Sequence, residues 1–366
     1  MAKKEQLSTD SYKGVRDFYP EEQSLLNYLF ATMRATAERF GYVEYHASIL
    51  EPSELYKSKG AENEEIVSEQ TYTFTDRGGR EVTLRPEMTP TVARMVAAKK
   101  REMGFPLRWY SIPNVFRYER PQRGRLREHW QFNVDIFGSR SSAADAEVIS
   151  LSHALMIAFG ATENDFEIRL GSRNFLDTVI AELNLSPEHA KRLRMLLDRK
   201  NKIVHEEYER EMTDLGIAIE RLSPEKIPPD VEEILRILAS MGITNAKFDP
   251  SIVRGFDYYT GVRFQAFVSG ASDAVLRGGR YDDLLGRYGR PSPAVGFAID
   301  VEATAGALEV GPVPHANGEA PSGVLVAGPR SAATRMAADL RRSGKRAVAE
   351  LAGLTGAELD AYARRW

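Results

Sequence analysis

The 366-residue sequence contains no cysteine, which excludes disulfide bridges and thiolate metal sites. No apolar run approaches the roughly 18 residues that a membrane-spanning helix needs. The N-terminal residues MAKKEQLSTDSYKG lack the apolar stretch of a signal peptide. These absences predict a protein of the reducing cytoplasm that does not enter a membrane.

Charge of one sign is also scarce, since the formal net charge is only −3. This near balance excludes a uniformly basic nucleic-acid-binding protein, so any contact with nucleic acid must use a local basic patch. The histidines show no ligand spacing, and we predict no metal site in the protein. They are His46, His129, His153, His189, His205 and His315.

The first half of the chain alternates between helical and strand-like patterns. Apolar residues from Leu25 to Phe40 recur at helical spacing and stop at Gly41. Residues 72–84 alternate around a glycine turn, as a β-hairpin does. The predicted elements are a helix over 22–41, a hairpin over 72–84, two antiparallel strands over 108–116 and 131–137, and a helix over 143–159.

The second half changes character at about residue 172. Residues 172–247 are charged and helix-like, and strand character is predicted to resume at Ile252 and to continue through Phe264–Val268. A helix rich in small residues is predicted over about 294–308. Residues 309–322 have the composition of a linker. The remaining residues read strand–helix–strand, the opening of a βαβ unit.

An arginine-rich stretch between the two predicted strands carries the strongest functional signal. The segment FRYERPQRGRLREHWQFNVDIFG (116–138) holds Arg117, Arg120, Arg123, Arg125 and Arg127. The planar guanidinium suits phosphate groups, and two strands would hold the loop rigidly. Taken alone, such a loop is more often a solvated basic hairpin.

Three further strings are weak alone and specific in combination. LRPEMTP (84–90) places a carboxylate and a hydroxyl before a helix, which by itself suggests a helix cap. Gln131 and Asp135 lie an even number of residues apart on one strand and therefore share a face. IVRGFDYYTGVRF (252–264) would ordinarily be packing with a surface charge, and GGRYD (278–282) a turn.

Together these strings resemble the histidyl-tRNA synthetases, which are class II aminoacyl-tRNA synthetases, over residues 12–308. The resemblance implies an α+β fold, with a class II synthetase-type antiparallel sheet of about six strands, flanking helices, a helical insertion and a twofold dimer interface that includes the helix over 22–41. The implied domains are a first catalytic part (1–170), the insertion (171–250), a second catalytic part (251–308), a linker (309–322) and a partial anticodon-binding-like α/β unit, truncated relative to the family (323–366).

The resemblance also implies the site residues. Arg117 and Glu119 would bind ATP, and Arg254 and Arg117 would act in catalysis, where positive charge meets the developing charge on the α-phosphate. The residues implied to face the tRNA acceptor end are Arg120, Gln122, Arg123 and Arg125. The residues implied to bind histidine are Glu87, Thr89, Gln131, Asp135, Tyr258, Tyr259 and Tyr281. Many family members have glutamate at the position of Asp135.

The segment AVGFAIDVEA (294–303) departs from the family pattern. Where the family has glycine and a final arginine, this chain has Asp300 and Ala303. The arginine normally holds the ATP γ-phosphate, and losing one charge-assisted contact costs about 1.5–3 kcal/mol. Arg287 or Arg290 are alternative sources of that charge. Catalytic activation of histidine is therefore the property that this departure affects.

Two functions are compatible with the sequence. The first is a homodimeric histidine–tRNA ligase of protein biosynthesis, which takes histidine, ATP with Mg²⁺ and the tRNA acceptor end as substrates. The second is a non-catalytic paralogue that senses histidine and regulates the catalytic ATP phosphoribosyltransferase subunit of histidine biosynthesis. The arginine-rich loop favours the ligase, because a histidine sensor has no use for it, whereas Asp300, Ala303 and the short C-terminal unit favour the regulator.

Overall fold

The computed structural model describes most of the chain. The described residues are 7–57, 70–118, 126–200, 203–223, 225–253, 258–271, 273–310, 324–343, 345, 347–350 and 354–364. They fall into two compact units, of which the first holds Leu29–Val310 and the described residues before Phe18. The second holds Phe18–Tyr28 and the described residues after Val310.

Fourteen strands are present in the described part of the chain. In chain order they are β1 (Val43–Glu44), β2 (Leu50–Pro52), β3 (Tyr72–Thr75), β4 (Glu81–Leu84), β5 (Leu107–Ser111), β6 (Asn114–Phe116), β7 (Glu128–Phe137), β8 (Phe166–Ser172), β9 (Ala246–Phe248), β10 (Val262–Val268), β11 (Leu276–Arg280), β12 (Ala294–Asp300), β13 (Val324–Val326) and β14 (Ala347–Ala349).

The described helices are α1 (Pro20–Arg39), α2 (Thr89–Lys99), α3 (Ser142–Ala158), α4 (Arg173–Glu182), α5 (Pro187–Arg199), α6 (His205–Asp214), α7 (Pro229–Ser240), α8 (Val301–Ala307), α9 (Arg330–Arg342) and α10 (Gly356–Ala363). Several begin at caps that the sequence supplies. The Ser141 hydroxyl accepts from Ala143 N at the start of α3, and the Ser186 hydroxyl accepts from His189 N at the start of α5.

A nine-stranded sheet forms the body of the first unit. Its order is β1-β5-β7-β12-β11-β10-β8-β9, with β6 also paired to β7. All pairings are antiparallel except β1–β5 and β8–β9 at the two edges. The prediction of an α+β fold with an antiparallel-rich sheet and flanking helices is confirmed, although the sheet is larger than the six or so strands expected.

Strand β7 separates the protein core from the pocket side of the sheet. Its even-numbered residues Phe132, Val134 and Ile136 are fully buried in the core. The odd-numbered Gln131 and Asp135 are therefore on the opposite face, because side chains alternate along a strand. Both of these polar side chains are also buried, so the face that carries them is covered by other parts of the chain.

The helices after β8 build a separate small core. Apolar residues of α4, α5 and α6 pack together, among them Leu176, Leu193 and Met212. Leu193 and Met212 are completely buried, although the helices are otherwise rich in charge. The helix-like pattern predicted for residues 172–247 is thus realised as amphipathic helices whose apolar stripes face one another.

Two predicted elements in the second half were wrong. Residues 251–253 form a turn, and the strand begins only at Val262. Residues 294–300 form strand β12 instead of the first half of a helix. Strand β12 lies between β7 and β11, and residues on both of its faces are buried or half-buried. Its small and apolar residues therefore lack the alternation that identifies a half-exposed strand.

The second unit contains the strand–helix–strand pattern that the sequence predicts. Strands β13 and β14 pair in parallel, and α9 connects them. Ala333 and Ala337 of α9 pack with Val326 and Ala349 of the two strands. Across the part of the chain that the structure describes, no helix combines the length and apolar character needed to cross a membrane.

Candidate active site

The first buried carboxylate of the pocket belongs to Glu87, which precedes α2. Its side chain is buried, and Tyr258 Oη donates a hydrogen bond of 2.9 Å to its Oε2. The side chain of Thr89 is hydrogen-bonded to Tyr258 as well. Burial raises the pKa of Glu87 to about 7, against the opposing effects of Arg117 and of the Tyr258 hydrogen bond. Glu87 is therefore a desolvated acid suited to a cationic partner.

The second buried carboxylate is that of Asp135 on β7. Tyr281 Oη donates a short hydrogen bond to Asp135 Oδ1. Burial raises the pKa of Asp135 to about 7, and the hydrogen bond from Tyr281 opposes this rise. Since Gln131 lies on the same face of β7, one strand presents a carboxylate and an amide to the pocket.

A tyrosine cluster (Tyr258, Tyr259 and Tyr281) joins the two carboxylates. The ring centroid of Tyr258 lies 5.2 Å from that of Tyr259 and 5.8 Å from that of Tyr281. All three rings belong to one buried cluster that also includes Met88. Aromatic rings in edge-to-face contact at these separations attract one another and stabilise the cluster. Hydrogen bonds and ring contacts thus link Glu87, Thr89 and Asp135 to the three tyrosines, and Gln131 shares a strand face with Asp135.

The predicted phosphate-binding residues are only partly described. Arg117 follows β6, and its Nε donates a 2.9 Å hydrogen bond to the carbonyl oxygen of Pro86, which precedes Glu87. Its positive charge also opposes the rise in the pKa of Glu87 that burial causes. The other predicted residues lie outside the described residues, namely Glu119, Arg120, Gln122, Arg123, Arg125 and Arg254.

The segment that departs from the family has a local structural explanation. Asp300 caps α8, because its Oδ1 accepts a 2.9 Å hydrogen bond from Ala303 N. Glu302 accepts a 3.0 Å hydrogen bond from Trp130 N and lies 4.0 Å from Arg16. Burial raises the pKa of Glu302 to about 7. The end of β12 therefore carries the acidic side chains Asp300 and Glu302 next to Ala303, the position at which the family has an arginine.

His129 lies beside this acidic segment. Its Nε2 is 4.0 Å from an oxygen of Asp300. Burial, followed by the positive charge of Arg117, lowers the pKa of His129 to about 3, so the ring is neutral at physiological pH. Among the described residues no group of three or more histidine, aspartate or glutamate side chains is arranged to hold a metal ion.

Sequence reasoning missed the groups that support the tyrosine cluster. Arg280 Nε donates a 3.1 Å hydrogen bond to Asp145 Oδ1, and this buried ion pair fixes the residue next to Tyr281. Arg173 Nη1 donates a 2.6 Å hydrogen bond to the carbonyl oxygen of Tyr259. Neither pair could be found from local patterns, because their partners are far apart along the chain.

The antiparallel sheet, its flanking helices and a pocket on one face of the central strands have the architecture of the class II aminoacyl-tRNA synthetase catalytic domain. The chain belongs to the histidyl-tRNA synthetase family, because the sequence model of that family, described as Histidyl-tRNA synthetase, matches residues 14–215 and 220–304.

Relatives of known name agree with this assignment. The chain is 43% identical over 322 residues to the histidine–tRNA ligase of Leptospira biflexa, and the aligned region covers 81% of this chain and 73% of that protein. It is 38% identical over 318 residues to the histidine–tRNA ligase of Thermoplasma volcanium, covering 80% of this chain and 73% of that protein.

Solved structures agree on the fold. A protein of Bacillus halodurans described as an ATP phosphoribosyltransferase regulatory subunit/histidyl-tRNA synthetase superposes with a TM-score of 0.81 at 26% identity, covering 98% of this chain and 97% of that chain. The histidyl-tRNA synthetase of Nostoc sp. superposes with a TM-score of 0.80 at 21% identity, covering 98% and 90%. At that lower identity the likeness concerns the fold alone.

Proposed function

We propose that the chain is a histidine–tRNA ligase, which activates histidine with ATP and transfers it to tRNA. The observation that carries the proposal is the pair of buried carboxylates, Glu87 and Asp135, each accepting a hydrogen bond from a tyrosine of one cluster. Free histidine has a cationic α-amino group and a polar ring that donates hydrogen bonds. Two separate buried acceptors match these two ends.

The positions of the two buried carboxylates support one orientation of histidine. Glu87 and Thr89, next to the N-terminus of α2, would bind the α-ammonium group, because a buried acid recovers its desolvation cost when a cation binds. Asp135, with Tyr281 and Gln131, would bind the imidazole. Tyr258 and Tyr259 would enclose the side chain. This orientation directs the α-carboxylate of histidine towards Arg117.

The reaction then proceeds in two balanced steps. An oxygen of the histidine carboxylate attacks the α-phosphorus of ATP, the bond to the β-phosphate oxygen breaks, and pyrophosphate leaves. A terminal ribose hydroxyl of tRNA next attacks the carbonyl carbon and releases AMP. Arg117 and Arg254 would stabilise the charge that builds on the α-phosphate, and Glu119 would hold the adenine. ATP would arrive as its Mg²⁺ complex.

The arginine-rich loop is proposed to receive the acceptor end of tRNA through Arg120, Gln122, Arg123 and Arg125. The two ends of this loop support the proposal because they are firmly anchored. Tyr118 N donates to the Gln70 carbonyl oxygen at 2.7 Å, and Arg127 N donates to the Gly14 carbonyl oxygen at 2.6 Å. The Arg127 guanidinium also lies 4.0 Å from the Tyr118 ring centroid.

The acidic end of β12 is proposed to slow the first step. Without an arginine at position 303, the γ-phosphate loses a charge-assisted contact worth about 1.5–3 kcal/mol. Most of that loss would fall on ATP binding, because the γ-phosphate lies away from the bond that forms. We therefore expect a raised KM for ATP and a normal KM for histidine.

Asp300 and Ala303 favour a second candidate function, the histidine-sensing regulatory subunit of an ATP phosphoribosyltransferase. Such a subunit would keep the pocket formed by Glu87 and Asp135 but would need no γ-phosphate contact. The likeness to the Bacillus halodurans protein, whose description includes both activities, is compatible with either candidate. The partner would then be the catalytic phosphoribosyltransferase subunit.

The protein is also proposed to be a cytoplasmic homodimer. A homodimer with a twofold interface that includes α1 is expected, and light scattering at micromolar concentration should give twice the mass of one 41.0 kDa chain. A single-chain mass would contradict it. The absence of cysteine suits the reducing cytoplasm.

Charging of tRNA separates the two candidates. Purified protein, radiolabelled histidine and ATP should yield acid-precipitable histidyl-tRNA, and omission of tRNA or ATP should abolish the product. Glu87→Ala should abolish it as well. Absence of product, together with co-purification of a catalytic phosphoribosyltransferase and intact histidine binding, would replace the ligase by the regulator.

A further inference from the structure

A row of small residues runs across the centre of the nine-stranded sheet beside Asp135. Asp135 on β7 pairs with Gly296 on β12, and Gly296 pairs with Gly279 on β11. Residues that pair directly across antiparallel strands place their side chains on the same face. The two glycines therefore lie on the face of the sheet that carries Asp135, which is the face of the pocket.

The glycines are present for space and not for backbone conformation. Neither Gly296 nor Gly279 is among the residues with a positive φ angle, so an L-amino acid could adopt either backbone conformation. A Cβ added at Gly296, however, would lie only 2.1 Å from Asp135 Oδ1 and 2.5 Å from the carbonyl oxygen of Val134 on the neighbouring strand. A Cβ added at Gly279 would lie 2.9 Å from both Tyr259 Cδ1 and the carbonyl oxygen of Val262. Each glycine thus leaves room for the adjacent strand and for one side chain on the pocket face.

The arrangement explains how a short acid serves this pocket. An aspartate carboxylate stands only one methylene from its strand, so Asp135 lies over the neighbouring strand β12 while it accepts the hydrogen bond from Tyr281. A ligand ring that reaches Asp135 must approach the sheet closely. A methyl group on the strand beneath would displace the carboxylate and fill the space that the ring needs.

We infer that Gly296 and Gly279 determine specificity by forming a side-chain-free floor for the imidazole of histidine. Gly296 acts through Asp135 and Gly279 acts through Tyr259, so both are positioning residues without contact of their own to the reacting atoms. This inference rests on the proposed function, because it takes histidine as the ligand of the pocket.

The test compares Gly296→Ala with a matched control, Gly278→Ala. Gly278 precedes Gly279 on the same strand but faces the core, where an added Cβ would meet Phe264 Cζ at 2.3 Å and the Gly296 carbonyl oxygen at 2.7 Å. Both substitutions add one methyl group to a crowded strand, on opposite faces of the sheet. Both should lower Tm, and only the substitution on the pocket face should impair recognition of histidine.

The measurements are the Kd for histidine by calorimetry, the KM values for histidine and ATP, and Tm. Gly296→Ala should raise the Kd and KM for histidine about tenfold or more, because a charge-assisted hydrogen bond is displaced, and should change the KM for ATP less than about twofold. Gly278→Ala should leave the Kd for histidine within about twofold of the wild-type value.

A double-substitution cycle distinguishes positioning from general damage. If Gly296 acts through the charge of Asp135, the penalty of Gly296→Ala should shrink by at least about threefold in an Asp135→Asn background, since coupled residues are not additive. Full additivity would overturn the inference. Should Gly296→Ala fail to fold, Gly279→Ala carries the same comparison, with Tyr259→Ala as the background, because that change removes the ring atom Cδ1 that the added methyl group would meet.

Three outcomes of these measurements distinguish the inference about the glycines from the proposed function. Wild-type protein that binds histidine, with a selective loss in Gly296→Ala, supports the inference. Wild-type protein that binds histidine, with equal binding by Gly296→Ala or equal loss in Gly278→Ala, overturns the inference and leaves the proposed function intact. Wild-type protein that binds no histidine overturns both.

Discussion

Replacing Glu87 by glutamine should weaken histidine binding and stabilise the protein at the same time. The α-ammonium group of histidine would lose its buried counter-charge, and breaking a buried ion pair in this way costs about 3–5 kcal/mol. At about 1.4 kcal/mol for each factor of ten, the Kd should rise roughly 10²- to 10⁴-fold. Tyr258 would retain a hydrogen-bond partner, because the glutamine amide oxygen can still accept from its hydroxyl.

The stability effect has the opposite sign because ionised Glu87 is buried. Its pKa is about 7 in the folded protein, against an ordinary value of 4.5. The folded state therefore holds a proton that the unfolded state has released, and Glu87 lowers the stability as the pH rises from 4.5 to 7. Above this window the loss reaches about 3 kcal/mol. Glu87→Gln should recover much of it at pH 8.

Calorimetry with histidine and urea unfolding at pH 8 measure the two effects. Glu51→Gln provides a matched control, because Glu51 is also buried but is paired with Arg94 at 2.6 Å. That variant should lose stability and keep its affinity for histidine. Unchanged histidine binding by Glu87→Gln, or a loss of stability equal to that of Glu51→Gln, would refute the assignment of Glu87 to the ammonium group.

Three further changes test other parts of the site. Histidine affinity should rise by up to about tenfold between pH 6 and pH 8 as Glu87 ionises. Calorimetry of Glu87→Gln should show a smaller rise, and equal pH dependence in both proteins would contradict this. Ala303→Arg should lower the KM for ATP by roughly 10- to 150-fold, more so with Asp300→Gly, and an unchanged KM in steady-state kinetics would refute the γ-phosphate argument. Asp145→Asn should cost about 1.5–3 kcal/mol in urea unfolding, because Arg280 loses one charged partner and keeps the other, Asp282 at 3.2 Å. A loss below about 0.5 kcal/mol, the range of ordinary surface changes, would show that the Arg280–Asp145 pair is not needed.

Local patterns predicted the elements that are amphipathic. Helix α1, the β3–β4 hairpin, the strands around the arginine-rich loop and the helices of the insertion all have one apolar and one polar face. Strand β12 was predicted as helix because a central strand covered on both sides has no such contrast. Most of the residues predicted to bind histidine were chosen from contiguous motifs, since Glu87, Tyr258 and Tyr281 each lie in a short string that resembles the family.

The supporting contacts could not be predicted in the same way. The Arg280–Asp145 ion pair joins residues 135 positions apart. The space that Gly296 leaves beside the Asp135 carboxylate depends on the register between β12 and β7. That register is set by the whole sheet. A sequence pattern reports periodicity along one segment, whereas cross-strand register is a property of two segments together.

Histidine-dependent exchange of pyrophosphate into ATP tests most directly whether this chain activates histidine, because it measures the activation step without tRNA. We predict slow exchange by the wild-type protein, a loss of about 10²-fold or more in kcat for Arg254→Ala, and faster exchange by the Asp300→Gly, Ala303→Arg double variant. No exchange by any of the three proteins, with histidine binding intact, would contradict the claim that this chain activates histidine.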